Sequence, residues 1–325
     1  MGSSKSFSSE VRQELVAESP KALHCRIAML AGIISIDGKL KYEDHEILSI
    51  RMEQDELVDA AVRLMRQIFG FTDEDIRLIP RSSSGARLRI EDEENCRRVL
   101  QTLKLSPEPT SELADDNDPR VRQTVLQDRL LHADDIVISK QCCRGGFLKG
   151  AYLAAGSVSD PQAAYQLEIV TGRASVTGQL LKILEGFDVQ AKATLRKGRE
   201  VVYIKDADSI SEVLGQMGAG NAMMHLLNVR IEKDLRNNIN REVNCEAANI
   251  TKTTMAAQKS LADIRIIEEK MGIDALPPDL MEIARLRLDN PDLSLLELGG
   301  LLTPPLGKSG VNHRLNKIRK IAESL

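Results

Sequence analysis

Tryptophan is absent and other aromatics are scarce, with five Phe and four Tyr making up 3% of 325 residues. Proteins that hold single-stranded nucleic acid stack successive bases on aromatic rings, so this composition argues against a base-stacking platform. Cysteine is sparse and odd in number: Cys25, Cys96, Cys142, Cys143 and Cys245 include no Cys-x-x-Cys pair and no histidine at finger spacing. Neither a disulfide framework nor a structural zinc site is encoded in that pattern, and no catalytic thiol is indicated. Adjacent Cys142 and Cys143 would point to opposite sides of a strand or about 100° apart on a helix, so no shared metal is expected of them. Long apolar runs are missing as well. The longest, Ile27 to Ile36, falls far short of the roughly 18 to 20 residues of a bilayer span. The start of the chain has no apolar signal-peptide core, and a cytoplasmic protein is expected.

Nor is there a large charge of one sign. Lys+Arg number 44 and Asp+Glu 48, a net charge of -4, and 42% hydrophobic with 28% charged residues is a globular balance. The length allows two or three domains with cores of their own. The charge is unevenly spread: residues 1–135 hold 19 Lys+Arg and 26 Asp+Glu, net -7, whereas the remainder is net +3. The basic excess is sharpest from Thr303 to Ala322, where Lys308, Arg314, Lys317, Arg319 and Lys320 stand with no carboxylate among them. A run of this kind fits either a polyanion partner or a solvated helix face.

A repeat organises the first two thirds. Leu30-Ala-Gly-Ile-Ile-Ser-Ile-Asp-Gly38 and Leu148-Lys-Gly-Ala-Tyr-Leu-Ala-Ala-Gly156 align with Gly32 on Gly150 and Gly38 on Gly156, an offset of 118. Amphipathic helices around Leu57–Gly70 and Val176–Gly186 follow, each ending in Gly-Phe. Strand-like runs at Ile76–Arg81 and Ala86–Ile90 match Gln190–Arg196 and Glu200–Ile204, and helices at Glu94–Leu103 and Ser209–Met217 close the halves. One αββαββα unit is used twice, with the Pro-, Asp- and Asn-rich stretch Pro107–Arg120 as the linker.

The first motif resembles the signature of LAGLIDADG homing endonucleases. The resemblance implies two such helices side by side on a pseudo-two-fold axis, with Gly32 and Gly150 letting the backbones touch and strands forming a saddle. It also implies an acidic residue at the eighth motif position of each helix, the two jointly holding divalent metals. Asp37 occupies that position in the first motif, but its partner is Ala155, and the sixth positions are Ser35 and Leu153. One carboxylate stands where two are needed. Asp37 then reads more simply as the acceptor of a turn before Gly38.

Residues Arg236–Thr254 are helical by context but rich in amides, with Asn237, Asn240 and Asn244 on one face. Asn is a poor helix former, so the stripe suggests either docking onto the duplicated domain or contact with phosphates. The helix continues to Met271 with Leu261, Ile264 and Ile267 as its apolar face, a stiff spacer. A compact module follows. Pro277-Pro278 opens one helix, Asn290-Pro291 stops it, Ser294 caps a second and Ser309 a third. On a wheel with Val311 at 0°, Leu315, Ile318 and Ala322 fall within about 40° of it, while His313, Asn316, Lys317 and Lys320 fall on the far side. A helix buried on one face and basic and amide-rich on the other suits the recognition helix of a helix-turn-helix. The connector Thr303–Lys308 exceeds the usual turn and resembles that of the region-four helix-turn-helix of sigma factors.

Phe7-Ser-Ser-Glu-Val-Arg-Gln-Glu-Leu15, Gly156-Ser-Val-Ser-Asp-Pro161, the run Arg236–Thr254 and Lys308-Ser-Gly-Val-Asn-His-Arg-Leu315 together resemble the WhiA family of bacterial regulators, over essentially the whole chain. The resemblance implies an α+β protein: a duplicated LAGLIDADG-type domain (1–127 with an N-terminal helix, and 128–235), a linker helix (236–273) and an all-α helix-turn-helix domain (274–325). It also implies a transcription regulator linked to sporulation, cell division and chromosome segregation, associated with the nucleoid, whose nuclease fold has lost its activity. The expected DNA-binding residues are Asn312, His313, Asn316 and Lys317 toward the groove and Lys308, Arg314, Arg319 and Lys320 toward phosphates, with Ser309 beside them. The expected partners are double-stranded DNA and the transcription machinery or a co-regulator protein, with no membrane, cofactor, metal or catalytic residue. A residual metal-dependent endonuclease using Asp37, or an RNA binder, are the alternatives.

Overall fold

A computed structural model of the chain describes residues 6–81, 84–107 and 129–325. Apart from Pro107, the linker expected at Pro107–Arg120 lies outside them. The chain forms two compact units, Met1–Glu232 and Lys233–Leu325.

The first unit begins with α1 (Phe7–Ala17), which buries Phe7, Val11 and Leu15. Then come α2 (Leu23–Asp37), β1 (Gly38–Tyr42), β2 (Glu46–Met52), α3 (Asp55–Phe69), β3 (Arg77–Pro80), β4 (Ala86–Ile90) and α4 (Glu93–Thr102). After β5 (Leu105–Pro107) and β6 (Arg129–Ala133) the order repeats as α5 (Gln141–Ala155), β7 (Gly156–Val158), β8 (Leu167–Val170), α6 (Ala174–Glu185), β9 (Lys192–Arg196), β10 (Arg199–Ile204) and α7 (Ala207–Met217). The strands pair antiparallel in the orders β3-β4-β2-β1-β6-β5 and β7-β8-β10-β9. Read from the outer hairpin inward, the second sheet repeats the first four strands of the first. Local signals recur too. The Asp92 carboxylate accepts from the Asn95 amide at the start of α4, and Asp206 from Ser209 at the start of α7, both at 2.8 Å. Strand β6, which follows the linker, joins the first sheet by pairing with β1 (Lys39 opposite Leu130).

Helices α2 and α5 cross at the centre of this unit. A Cβ placed on Gly32 would strike the carbonyl oxygen of Phe147, and one on Gly150 the carbonyl oxygen of Met29. Met29 and Phe147 are themselves 118 residues apart, so the contact is reciprocal, as the repeated glycines predict. Between them the helices bury Leu30, Ile33, Ile34, Phe147, Leu148 and Tyr152. At the N-terminal ends of the same helices, His24, Cys25, Cys142 and Cys143 come together, their donor atoms all within 4.8 Å of one another. Adjacent residues of a helix point about 100° apart, yet the sulfurs of Cys142 and Cys143 stay within 4.8 Å of each other. Two crossing helices each presenting an adjacent pair nevertheless close them against each other, which the spacing of the cysteines does not predict.

Helix α8 (Gly220–Lys270) starts in the first unit, where the Asn221 and Ala222 amides donate to the Glu14 carboxylate at 2.7 and 3.0 Å. This remote cap satisfies two of the free amides of its first turn. Further along, Asn237, Asn240 and Asn244 are exposed.

In the second unit, Ile264 and Ile267 of α8 pack with α9 (Pro278–Asp289), α10 (Leu295–Gly300) and α11 (Lys308–Ser324). Pro277 and Asn290 flank α9 as the sequence predicts, and Ser294 with Glu297 forms a capping box on α10. The third helix differs from expectation. Its N-cap is Gly307, with no side-chain capping bond, and Ser309 lies inside the first turn. The guanidinium of Arg287, 1% exposed, donates to the carbonyls of Pro291 at 3.3 Å and Leu293 at 2.6 Å, fixing the chain between α9 and α10.

Candidate nucleic-acid interface

Val311, Leu315, Ile318 and Ala322 are all buried, so the apolar stripe of α11 is pressed into the core of the second unit. This leaves Lys308, Ser309, Asn312, His313, Asn316, Lys317 and Lys320 exposed. The helix enters close to α10, since a Cβ on Gly299 would strike the Leu306 carbonyl. Arg314 and Arg319 are placed differently. Arg314 turns toward α9, donating to the Asp279 carbonyl at 3.2 Å and standing 3.9 and 3.8 Å from the Asp279 and Glu282 carboxylates. Arg319 pairs with Glu323 one turn on, at 3.0 Å. Both guanidiniums are thus engaged within the unit, whereas the three lysines of the exposed set rise from a stretch of sequence without carboxylates.

The place corresponding to a LAGLIDADG metal site lies in the first unit, where α2 and α5 end. A cavity of about 570 Å³ opens there, lined by Asp37 and Ala155 and by Arg12, Arg51, Glu53 and Arg199. Helix C-termini carry partial negative charge and favour cations. Here guanidiniums supply them. Arg12 of α1 donates to the carbonyls of Leu153 and Gly156 at the end of α5, and buried Arg173 donates to those of Ser35 and Ile36 at the end of α2 and to Leu131 at 2.9 Å. The Gly38 amide donates to the Ile34 carbonyl, so the helix backbone itself closes the turn that the sequence assigns to Asp37. Burial, reinforced by Glu53 and opposed by Arg51, Arg173 and Arg199, pushes the Asp37 carboxyl up to about 7. One carboxyl facing an alanine, with arginines on the helix ends, does not fit a pair of divalent ions.

The flanking sheets carry arginines on one face: Arg51 lies opposite Arg87 and Arg77 opposite Arg89. Many are neutralised. Arg51 pairs with Glu53 at 2.8 Å, Arg77 with Glu91 at 3.1 Å, Arg89 with Glu43 at 2.6 Å, and Arg196 on the second sheet with Glu168 at 3.0 Å. None of these residues, nor Arg12 or Arg173, is among those expected from the sequence. Basic residues at every second position of Lys39-Leu-Lys41 and Arg87-Leu-Arg89 carry the strand signal. Arg12 and Arg173 carry none, because the helix ends they seal lie more than a hundred residues away in the chain.

The architecture is that of a LAGLIDADG-type fold in which two acids no longer meet, joined to a helix-turn-helix. Family models agree at both ends. That of the WhiA LAGLIDADG-like domain matches residues 144–236, and that of the WhiA C-terminal HTH domain matches residues 239–322. Among relatives, the probable cell division protein WhiA of Lachnoclostridium phytofermentans is 40% identical over 98% of this chain and 99% of its own. That of Lachnospira eligens is 38% identical over 98% and 97%. The crystal structure of full-length DUF199/WhiA from Thermatoga maritima shares the fold, with a TM-score of 0.59 at 23% identity over 99% of both chains. The chain belongs to the WhiA family.

Proposed function

We propose that the protein is a sequence-specific regulator of transcription that binds double-stranded DNA through α11 and serves cell division, with sporulation and chromosome segregation as linked processes. The observation that carries this reading is the two-faced character of α11: a fully buried stripe that fixes the helix, and an exposed face of lysines, amides and His313 without a carboxylate. Asn312, His313, Asn316 and Lys317 read base edges, Asn pairing with adenine and Lys or His with guanine acceptors. Lys308 and Lys320 hold phosphates, with Ser309 beside them at the helix entry. Arg314 and Arg319 act mainly by holding the helix in place.

The duplicated domain serves as a platform rather than a nuclease. Its metal site lacks an acid at Ala155, and the glutamate-paired arginines of its sheets favour docking of protein, the transcription machinery or a co-regulator, over wrapping of DNA. The protein then works at the nucleoid in the cytoplasm. Among the described residues no helix is long and apolar enough to cross a membrane. Footprinting the full chain on genomic DNA, beside a full-length Asn312→Ala/Asn316→Ala variant, tests the reading. Discrete protected sites that vanish in the variant support it. Cleavage of the DNA in Mg²⁺ that disappears in Asp37→Ala, or preference for an RNA duplex, overturns it.

A further inference from the structure

The cluster His24, Cys25, Cys142 and Cys143 plays no part in the function argued above. His24 and Cys25 are the second and third residues of α2, and Cys142 and Cys143 the second and third of α5. Their offset is 118, the same as that of the glycines at the helix crossing. Each half therefore contributes two donors across the pseudo-two-fold axis, at the end of the helix pair opposite Asp37. His24 Nδ1 lies 3.2 Å from Cys25 Sγ, 3.2 Å from Cys143 Sγ and 4.0 Å from Cys142 Sγ.

These spacings can be compared with those of a metal centre. Zinc bound tetrahedrally, with Zn–S of about 2.3 Å and Zn–N of about 2.0 Å, holds its donor atoms roughly 3.5 to 3.8 Å apart. The three nitrogen–sulfur spacings of 3.2, 3.2 and 4.0 Å bracket that edge length, and all four donors lie within 4.8 Å of one another. All the cysteines are free thiols, so no disulfide competes for the sulfurs. Three thiols and an imidazole form a soft donor set that selects zinc over magnesium or calcium. An iron–sulfur cluster would need room for its own sulfides among the ligands, and donors this close leave none. Cys25 and Cys143 are buried while His24 and Cys142 are exposed, so an ion has an anchored inner side and an open route of entry.

We propose that His24, Cys25, Cys142 and Cys143 form a structural zinc site that ties the two halves of the duplicated domain together at the N-terminal ends of α2 and α5. Four protein ligands close the coordination sphere and leave no position for substrate, so the site is structural rather than catalytic. Each ligand thiol gives up its proton as the metal binds.

The test begins with elemental analysis of the full chain purified without chelator, which should give about one zinc per chain. Replacement by Co²⁺ should give the intense visible bands and sulfur-to-metal charge transfer of tetrahedral thiolate coordination. Chelation should lower the melting temperature, and zinc should restore it. The exposed ligands supply variants that leave the core intact: Cys142→Ser and His24→Ala should lose zinc to a chelator at least ~10-fold more readily, the scale seen even for outer-shell partners. Cys245→Ser, on the exposed surface of α8, should keep full occupancy. A metal-free chain with an octahedral cobalt spectrum overturns the proposal. So does full zinc retention in both ligand variants, or a disulfide within the cluster in place of the ion.

Discussion

Replacing Asp37 with asparagine should make the first unit more stable above neutral pH, although a charged group is lost from a cavity lined with cations. The carboxyl is raised from 3.8 to about 7, burial being the largest cause and Glu53 the next. A folded pKa above the unfolded one means that the group's stabilising contribution is complete below 3.8 and is lost as pH rises through 7. Each pH unit spent between those two values is worth about 1.36 kcal/mol, so the raised pKa of Asp37 costs about 4 kcal/mol at pH 8, where it is ionised in both states, and about 1.5 kcal/mol at pH 5, where it must take up a proton to fold, as orders of magnitude. Asparagine has the shape of the protonated acid and no charge to bury. The difference between variant and wild type should therefore grow by roughly 2 to 3 kcal/mol from pH 5 to pH 8. Composition supplies the assay. Every tyrosine of the chain (Tyr42, Tyr152, Tyr165 and Tyr203) lies in the first unit, and with no tryptophan the intrinsic fluorescence reports on that unit alone. Urea unfolding followed by tyrosine emission at several pH values gives the two curves. If they run parallel, Asp37 ionises at its ordinary pKa, and Arg51, Arg173 and Arg199 fully offset its burial.

Gly150→Ala should destabilise the same unit by about 1 to 3 kcal/mol or more, because its methyl group meets the Met29 carbonyl rather than a side chain that can move. Gly178→Ala is the control: nothing lies within 4 Å of its Cβ, and in the middle of α6 it should gain up to about 1 kcal/mol in helix propensity. Thermal melts of the two variants that shift in the same direction would remove the close crossing. On DNA, Asn316→Ala or His313→Ala should cost about 1 to 3 kcal/mol at a specific site and little on random duplex. Lys320→Ala should weaken both and reduce the salt slope by about one in fluorescence anisotropy titrations. Equal losses on specific and random DNA for Asn316→Ala would take base reading away from this helix.

What was legible in the sequence is what repeats or has a period. The glycines at an offset of 118 announced the crossing, and the alternating four- and three-residue spacing of Val311, Leu315, Ile318 and Ala322 announced which face of α11 is buried. Turn chemistry served for Pro277, Asn290 and Ser294. It failed at Ser309, because Gly307 already adopts the extended conformation of an N-cap and the helix starts sooner. Contacts between distant segments left no trace in the pattern. Nothing local shows that Arg314 faces Asp279 and Glu282 on another helix, or that β6 reaches back across the linker to β1. The cysteines misled for the same reason: spacing along one segment cannot show two segments converging.

The arginines that seal α2 and α5 make the duplication unequal. Arg173 is the residue preceding α6, and Gln54 stands at the corresponding place before α3, while Arg12 belongs to a helix that precedes both repeats. The two helix ends are therefore sealed by residues that are not counterparts of one another, Arg12 from outside the repeats at the end of α5 and Arg173 from within the second repeat at the end of α2. Each end of the crossing is free to drift separately, and an acid at one with an alanine at the other is the kind of divergence that a broken symmetry allows.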